Sequence, residues 1–271
     1  MPAPTISFLT DFGLDTAPAT CRGVIWSICP EARINDLTHT ARAFAVRDAA
    51  FLLWSSVPYL PIGVHLAVVD PGVGTSRRPI AIRAARGDHF VGPDNGLLVP
   101  AAERLGGIEA VHELTNRSLF RSEVSSTFHG RDLFAPITAH LANGVALAEV
   151  GPGLDPSTLV RIEFPEPTAR DGRLETSVLF VDAFGNVRIA GQPSDLGRFR
   201  GRLAPGDRFA VTAAGRRTEL PFHPTFGAVG PGELLLYEDA DYAGLAIGLN
   251  QGSAAERLGL SNDVRVVLEP A

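Results

Sequence analysis

Four short polar clusters in the first half of the sequence carry residue types suited to acid–base chemistry. They follow strand-like apolar runs and read Thr-Asp-Phe-Gly at 10–13, Asp-Pro-Gly-Val-Gly at 70–74, Gly-Pro-Asp-Asn-Gly at 92–96 and Thr-Phe-His-Gly-Arg-Asp at 127–132. One such cluster is weak evidence, because Asp and Gly also end strands at turns. Four together are typical of an open α/β sheet, in which ligands bind beside the carboxyl ends of the strands. We therefore expect a ligand site that uses these side chains.

The elements that must position these clusters alternate between strands and helices. Short apolar runs and segments with helical periodicity follow one another at 5–9, 21–29, 44–57, 64–69, 79–82, 97–105 and 132–141. Apolar residues recur at three and four in 21–29, which predicts a helix, whereas 64–69 is a continuous run typical of a strand buried on both faces. The alternation predicts a parallel sheet covered by helices, a Rossmann-like α/β domain over residues 1–160.

The rest of the chain has the pattern of a second, smaller domain. A Pro-rich and charged stretch at 161–175 predicts an exposed linker. Beyond it, strand-like runs separated by Gly, Pro and Asp turns occur at 176–181, 186–189, 208–212, 233–237, 245–249 and 264–268, with one short helix-like stretch at 254–258. We expect an all-β, barrel-like domain over residues 176–271.

Composition narrows the class of partner. The 271 residues are 45% hydrophobic, and 24 Lys+Arg against 30 Asp+Glu give a formal net charge of -6 without a basic run. Such a surface has no electrostatic footprint for nucleic acid or an anionic membrane, so a small-molecule substrate is favoured.

The cysteines and the N-terminus indicate a compartment. Cys21 and Cys29 lie eight residues apart in the first predicted helix, so we expect two buried thiols rather than a disulfide or a metal site. The sequence enters a strand at Thr5 without a basic leader, and no apolar run reaches about 18 residues. These features predict a cytoplasmic protein.

The order of the motifs resembles a known family. The four clusters, Arg77 after the second, Phe-Gly-Asn at 184–186 and Asn-Gln-Gly at 250–252 follow one another as in the S-adenosyl-L-methionine (SAM) hydroxide adenosyltransferases, relatives of the SAM-dependent fluorinase and chlorinase. The likeness extends from about Ile6 to Glu269. It implies hydrolysis of SAM to adenosine and L-methionine by in-line attack of an activated water on the ribose 5′ carbon. It implies no cofactor and no metal.

The resemblance also implies a catalytic trio of Asp70, Arg77 and His129. The sulfonium is already a good leaving group, so the protein must position a water and remove its proton. His129 is the natural proton acceptor, because an imidazole titrates near neutral pH. Arg77 would hold Asp70 by a bidentate contact and stabilise hydroxide character on the water. Its neighbour Arg78 is expected to be a solvated charge, since only the family spacing selects Arg77.

Substrate-binding residues follow from the same likeness. Asp11 would accept the ribose diol and Thr127 belongs to the same pocket, while aromatic side chains and the segment 249–251 would enclose the adenine. Asp182 and Asn186 would bind the amino-acid end. The remaining expected contacts are Phe44, Phe184, Phe226, Leu249, Asn250 and Gln251. The resemblance implies a homotrimer, with each pocket between the N-terminal domain of one subunit and the C-terminal domain of its neighbour.

The sequence departs from the family pattern in two segments, and three alternative functions remain open. The loop 14–19 is about one residue shorter than in the family and lacks an aromatic, and 238–242 is unusually acidic, a charge that solvation alone would explain. Halogenase-like adenosyl transfer is one alternative, and a non-catalytic adenosine-binding module is another. A metallophosphoesterase-like hydrolase is the third, with Asp11, His39, Asp70, Asp94, Asn95 and His129 as ligands. For His39 the expected role is structural, as a buried imidazole bonded to backbone.

Overall fold

A six-stranded mixed sheet forms the centre of the first unit in the computed structural model, which describes residues 3–271. Its strands are β1 (Thr5–Thr10), β2 (Arg33–Thr38), β3 (Val64–Val68), β4 (Pro79–Ala84), β5 (His89–Pro93) and β6 (Ile108–Glu113), in the order β2-β1-β3-β5-β4-β6. The contacts among β1, β2, β3 and β5 are parallel, as expected, but β4 is antiparallel to β5 and β6. The expectation of a wholly parallel sheet is wrong there, because the connection 85–88 is too short for a crossover.

Helices pack against this sheet. They are α1 (Thr16–Ile28), α2 (Val46–Ser56), α3 (Val99–Arg104) and α4 (Ala135–Ala142), with a π-helical turn at Gly130–Phe134 before α4 and 3-10 turns at Val57–Tyr59, Arg117–Leu119, Leu147–Val150 and Pro156–Thr158. α1 starts earlier than predicted, because the Asp15 carboxylate caps it by accepting a hydrogen bond from Ala17 N at 3.1 Å. Cys21 and Ile25 of α1 are buried in one core with Ile6 and Phe8 of β1.

The second unit is an antiparallel, nearly closed barrel-like sheet. The part of the chain that the structure describes contributes eight strands: β7 (Thr168–Arg170), β8 (Arg173–Val181), β9 (Val187–Ile189), β10 (Arg208–Ala213), β11 (Arg216–Pro221), β12 (Leu234–Asp239), β13 (Gly244–Leu249) and β14 (Arg265–Pro270). The order is β11-β10-β14-β8-β9-β13-β12, with β7 beside β8. A bridge between Phe222 and Leu236 links the two ends of this order. The expected all-β class is confirmed.

Three local expectations need correction. The unit carries two helices, α5 (Pro193–Arg200) and α6 (Ala254–Leu258), where the sequence predicted only the second. α5 escaped detection because Leu196 is its buried residue, which leaves no apolar periodicity. Strands β7 and the start of β8 occupy part of the predicted linker, and the two units divide between Glu163 and Phe164. The cluster 127–132 begins a helix rather than ending a strand.

Two smaller expectations concern the thiols and the membrane. Within residues 3–271, Cys21 and Cys29 are buried and unbridged, and burial raises the pKa of the Cys21 thiol to about 12. No helix in this described range is both long and apolar enough to cross a bilayer.

Candidate active site

Neighbouring parallel strands bring the first two polar clusters to one edge of the N-terminal sheet. Thr10 of β1 lies in register with Val68 of β3, so Asp11 and Asp70 follow the two strands at the same end. Asp11 Oδ2 accepts a hydrogen bond from the backbone N–H of Phe44 at 2.9 Å. Asn95, after β5, donates from Nδ2 to the Val69 carbonyl at 2.8 Å and so fixes the segment that leads into Asp70.

His129 reaches this edge from the start of a helix. It immediately precedes the π-helical turn Gly130–Phe134, a helical irregularity that is frequent at functional sites. Buried Asp132 anchors the loop before it, accepting hydrogen bonds from Ser125 N at 3.0 Å and from Arg131 Nε at 2.7 Å. These contacts hold the pKa of the Asp132 carboxyl below its usual value despite burial, so it stays ionised.

Asp70, Arg77 and His129 contact one another as a chain. Arg77 Nε donates to Asp70 Oδ1 at 3.2 Å and Nη2 donates to Oδ2 at 2.5 Å, a bidentate pair. Nη2 also lies 3.2 Å from His129 Nδ1. The guanidinium carbon stands 5.3 Å from the centroid of the Phe134 ring, and Nη1 is buried without a hydrogen-bond partner among the described residues. Arg78, by contrast, pairs with Asp94 and the Thr158 carbonyl.

Burial and the charge of Arg77 together determine the protonation state of His129. Burial first, and then the guanidinium, lower the pKa of the imidazole from its usual 6.5, against a smaller opposing effect of Asp70. Because a guanidinium nitrogen can only donate, the contact with Nδ1 is a hydrogen bond when Nδ1 is unprotonated. At neutral pH His129 is therefore uncharged and carries its proton on Nε2.

The N-terminal pocket is a cavity of about 240 Å³ at this edge. Five expected site residues line it, namely Asp11, Phe44, Asp70, Thr127 and His129, while Arg77 contacts two of them. Phe12 and Phe128 also line the pocket, with ring centroids 5.7 Å apart in an edge-to-face arrangement. Sequence reasoning gave these two rings no role, although each sits beside a polar residue of a cluster that it did use.

The C-terminal pocket is a separate cavity of about 840 Å³ within the second unit. All seven residues expected there line it: Asp182, Phe184, Asn186, Phe226, Leu249, Asn250 and Gln251. Asp182 is also a turn-forming residue, since Oδ1 accepts hydrogen bonds from Phe184 N and Asn186 N and Oδ2 accepts one from Asn186 Nδ2, each at 2.9 Å. Phe226 and Tyr237 form an aromatic wall with centroids 5.0 Å apart.

The acidic stretch 238–242 is not simply solvated. Arg188 Nε donates to buried Asp239 at 3.0 Å, and its Nη2 donates to the more exposed Asp241 at 3.1 Å. All three side chains line the C-terminal pocket. Sequence reasoning missed Arg188, yet it lies two residues beyond Asn186, and residues two apart on an extended segment share a face.

Two of the six side chains that a metallophosphoesterase would use, His39 and Asp94, are engaged elsewhere. His39 Nδ1 bonds to Thr10 Oγ1 at 2.9 Å and its Nε2 pairs with Asp36 at 3.2 Å, so its partners are side chains rather than the expected backbone. Asp94 binds Arg78 and the backbone N–H of Val160. In residues 3–271 no group of three His, Cys, Asp or Glu side chains is arranged to hold a metal ion.

Comparison with known proteins gives the same family as the motif order. Residues 6–151 match the SAM hydroxide adenosyltransferase N-terminal domain, and residues 176–267 match the corresponding C-terminal domain. An (R)-S-adenosyl-L-methionine hydrolase from Salinispora tropica is 47% identical over 96% of this chain and 95% of its own length. A fluorinase from an Actinoplanes species is 31% identical over 88% of this chain and 89% of its own.

A solved structure shares the fold over almost the whole length. The crystal structure of an uncharacterized conserved protein from Thermotoga maritima superposes with a TM-score of 0.91 at 34% identity, covering 97% of this chain and 99% of that one. Both domain matches, the near-complete coverage and the common fold lead to one conclusion. The chain belongs to the SAM hydroxide adenosyltransferase family.

Proposed function

We propose that this protein hydrolyses S-adenosyl-L-methionine to adenosine and L-methionine. The observation that carries the proposal is the Asp70–Arg77–His129 chain of hydrogen bonds beside a pocket that also contains Asp11. The relative from Salinispora tropica, named (R)-S-adenosyl-L-methionine hydrolase, supports the same reaction.

The chemistry follows from the state of the trio. When the substrate binds, a water displaces the direct 3.2 Å contact between Arg77 Nη2 and His129 Nδ1, accepts a hydrogen bond from the guanidinium and donates one to Nδ1. Its oxygen attacks the ribose 5′ carbon, the carbon–sulfur bond breaks, and methionine leaves as a neutral thioether with the bonding electrons. The water's proton passes to His129, and Arg77 stabilises the developing hydroxide. Asp70 holds the guanidinium in place.

The two pockets bind different parts of the substrate. One oxygen of Asp11 is held by Phe44 N, and the carboxylate keeps acceptor capacity for the ribose diol. The rings of Phe184 and Phe226, with 249–251, offer an adenine-binding surface, and the charged side of the C-terminal pocket suits the amino-acid end. We further propose a homotrimer, in which the N-terminal pocket of one subunit meets the C-terminal pocket of a neighbour.

Halogenase-like adenosyl transfer is the second candidate, favoured by the 31% identity to a fluorinase. Asp70 disfavours it, because its carboxylate already binds the Arg77 guanidinium, the cation beside the pocket that would otherwise attract a halide. The third candidate, a binding module, has no use for a catalytic trio.

One experiment separates these functions. The protein is incubated with SAM and halide salts in oxygen-18 water, and the nucleoside products are analysed by mass spectrometry. Hydrolysis places one oxygen-18 atom in the 5′ hydroxyl of adenosine. A 5′-halogenated nucleoside would establish transfer to halide, and SAM binding without turnover would establish the binding module, so either result contradicts the proposal.

A further inference from the structure

A second cluster of chemically reactive side chains lies in the N-terminal unit, away from the pocket described above. Ser7 of β1, His65 of β3 and Asp88 of the β4–β5 turn form a hydrogen-bonded series: Ser7 Oγ is 2.7 Å from His65 Nδ1, and His65 Nε2 is 2.9 Å from Asp88 Oδ1. Ser7 precedes Asp11 by four residues on an extended strand, which separates them by about 13 Å. The cluster takes no part in the proposed SAM chemistry.

The charges around Asp88 dictate where the protons of this series lie. Arg86 binds Asp88 through Nε at 2.7 Å and Nη2 at 2.9 Å, and the pKa of the Asp88 carboxyl is held well below its usual range against the effect of burial. An ionised carboxylate only accepts, so His65 donates from Nε2, and with a single proton on the ring Nδ1 accepts the proton of Ser7. The hydroxyl is thus aimed at a base that a carboxylate orients, the arrangement that activates a serine nucleophile.

A pocket gives this serine access to a ligand. A cavity of about 280 Å³ is lined by Ser7 and His65 together with the apolar side chains of Ile34, Leu60 and Pro61. Ser7 and His65 are 2% and 1% exposed, so they form the floor of the cavity rather than its rim. A small, mainly apolar cavity with a few convergent polar groups is typical of a site for a small organic ligand.

The neighbouring strand adds a donor. Asn35 of β2 is in register with Ser7, and Ser7 is in register with His65, so the three residues form a row across β2, β1 and β3. Asn35 also lines the cavity. Its side-chain amide can donate to an oxyanion that develops beside Ser7, as amide side chains do in acyl-transfer enzymes.

We propose that Ser7, His65 and Asp88 form a second hydrolytic site, which cleaves esters of short acyl groups. Ser7 Oγ attacks the carbonyl carbon as its proton passes to His65 Nδ1. The bond to the alkoxy group breaks, and the departing alcohol takes that proton. Water then attacks the acyl carbon and gives a proton to His65. The bond to Ser7 Oγ breaks, the carboxylic acid leaves, and Ser7 regains the proton.

The site is tested on the full-length protein with two probes. A fluorophosphonate probe should label Ser7, as mapped by peptide mass spectrometry, and the protein should hydrolyse p-nitrophenyl acetate with saturation kinetics. Ser7→Ala should abolish the label and reduce ester hydrolysis to the background rate. His65→Gln should lower the rate about 10²–10⁴-fold, and Asn35→Ala about 10²–10³-fold. Thr5→Val is the matched control, since Thr5 lines the same cavity outside the series and should change the rate less than twofold.

The outcome is independent of the proposed function. Ser7→Ala should retain SAM cleavage within about twofold, which also reports correct folding if His65→Gln is unstable. Absence of a label on Ser7 in the wild-type protein would overturn the proposal, as would equal ester hydrolysis by wild type and Ser7→Ala. Either result would indicate that these hydrogen bonds have a structural role and hold β1, β3 and the β4–β5 turn together. Asp88, in that turn, also accepts a hydrogen bond from Gly63 N.

Discussion

At the scale of single residues, the trio shows how one cation sets the behaviour of its neighbours. Arg77 neutralises Asp70, lowers the pKa of His129 and fixes its tautomer, all through one guanidinium. Its neighbour Arg78 has the same chemistry but is engaged with Asp94, so position rather than residue type distinguishes the two. The functional proposal therefore predicts sharply different effects for adjacent substitutions.

Replacing His129 by Ala or Asp70 by Asn should lower kcat by about 10²-fold or more, with a comparatively small change in KM. His129 acts on the attacking water directly and Asp70 acts on it by positioning Arg77, so both affect mainly the transition state. Asp11→Ala should instead raise KM strongly, because it removes a contact to the ribose. Steady-state kinetics of SAM cleavage checks both, with Arg78→Lys as the control that stays near wild type. Wild-type turnover in His129→Ala at saturating SAM would exclude the water-activating role.

The pKa of His129 gives a prediction about pH. The neutral imidazole is the active form and its pKa is lowered from 6.5, so kcat/KM should be constant near neutral pH and fall only as the pH drops below about 6.5. Arg77→Gln removes the cation and leaves Asp70, which raises the pKa, so the acid limb should move to higher pH.

The titration can be followed without activity. NMR of isotope-labelled histidine, with His140→Gln spectra to aid assignment, measures the His129 pKa in wild type and in Arg77→Gln. A His129 pKa that is unchanged or lower in the variant would contradict the electrostatic role of Arg77.

At the scale of elements, the π-helical turn and strand ends hold the N-terminal pocket in shape. Gly130 is buried, and a Cβ built on it would lie 2.7 Å from Phe12 Cζ and 2.9 Å from Cε2. The close approach of the turn to the Phe12 ring therefore depends on a residue without a side chain. The position of His129, directly before this glycine, depends on the same close approach.

Gly130→Ala should consequently lower SAM turnover at least about tenfold, because Phe12 or the turn must move. Gly23→Ala is the matched control: Gly23 lies in α1 with open space around its Cβ position, and alanine there should leave activity intact and raise the free energy of unfolding by up to about 1 kcal/mol. Kinetics and urea denaturation test the pair. Equal activity of the two variants would show that the turn tolerates displacement.

At the scale of the whole molecule, the proposed site needs two pockets that lie on different units of the chain. In the proposed homotrimer the two halves of one site come from different subunits. Two inactive variants, one damaged in each half, should then complement each other when mixed.

Asp70→Asn and Phe226→Ala are suitable partners for this test, since they alter the N-terminal and the C-terminal pocket. Mixed trimers formed by co-expression should recover a substantial fraction of wild-type activity, because some sites combine two intact halves. Light scattering after size-exclusion chromatography measures the oligomeric state. Co-expression of two copies of the same variant is the control for complementation. A monomer with full activity, or trimers without complementation, would contradict the inter-subunit site.

The sequence by itself determined the family and the α/β and all-β classes, and it predicted residues that the structure places in the two pockets. It could do so because motifs with fixed order and spacing identify groups that chemistry requires, and because periodicity reports which faces are buried. Asp11, Asp70 and His129 were predicted as site residues in this way, and all three line the N-terminal pocket. The pairing of Arg77 rather than Arg78 with Asp70 was inferred from family spacing, and the hydrogen bonds agree with it.

Tertiary structure alone decided the features that depend on contacts distant in sequence. The reversed direction of β4, the ion pairs of Arg188 with Asp239 and Asp241, and the tautomer of His129 arise from such contacts. The series from Ser7 through His65 to Asp88 joins residues 58 and 23 positions apart. No local pattern of hydrophobicity or turn residues encodes these pairings, because hydrogen bonds and charge interactions depend on distance in space.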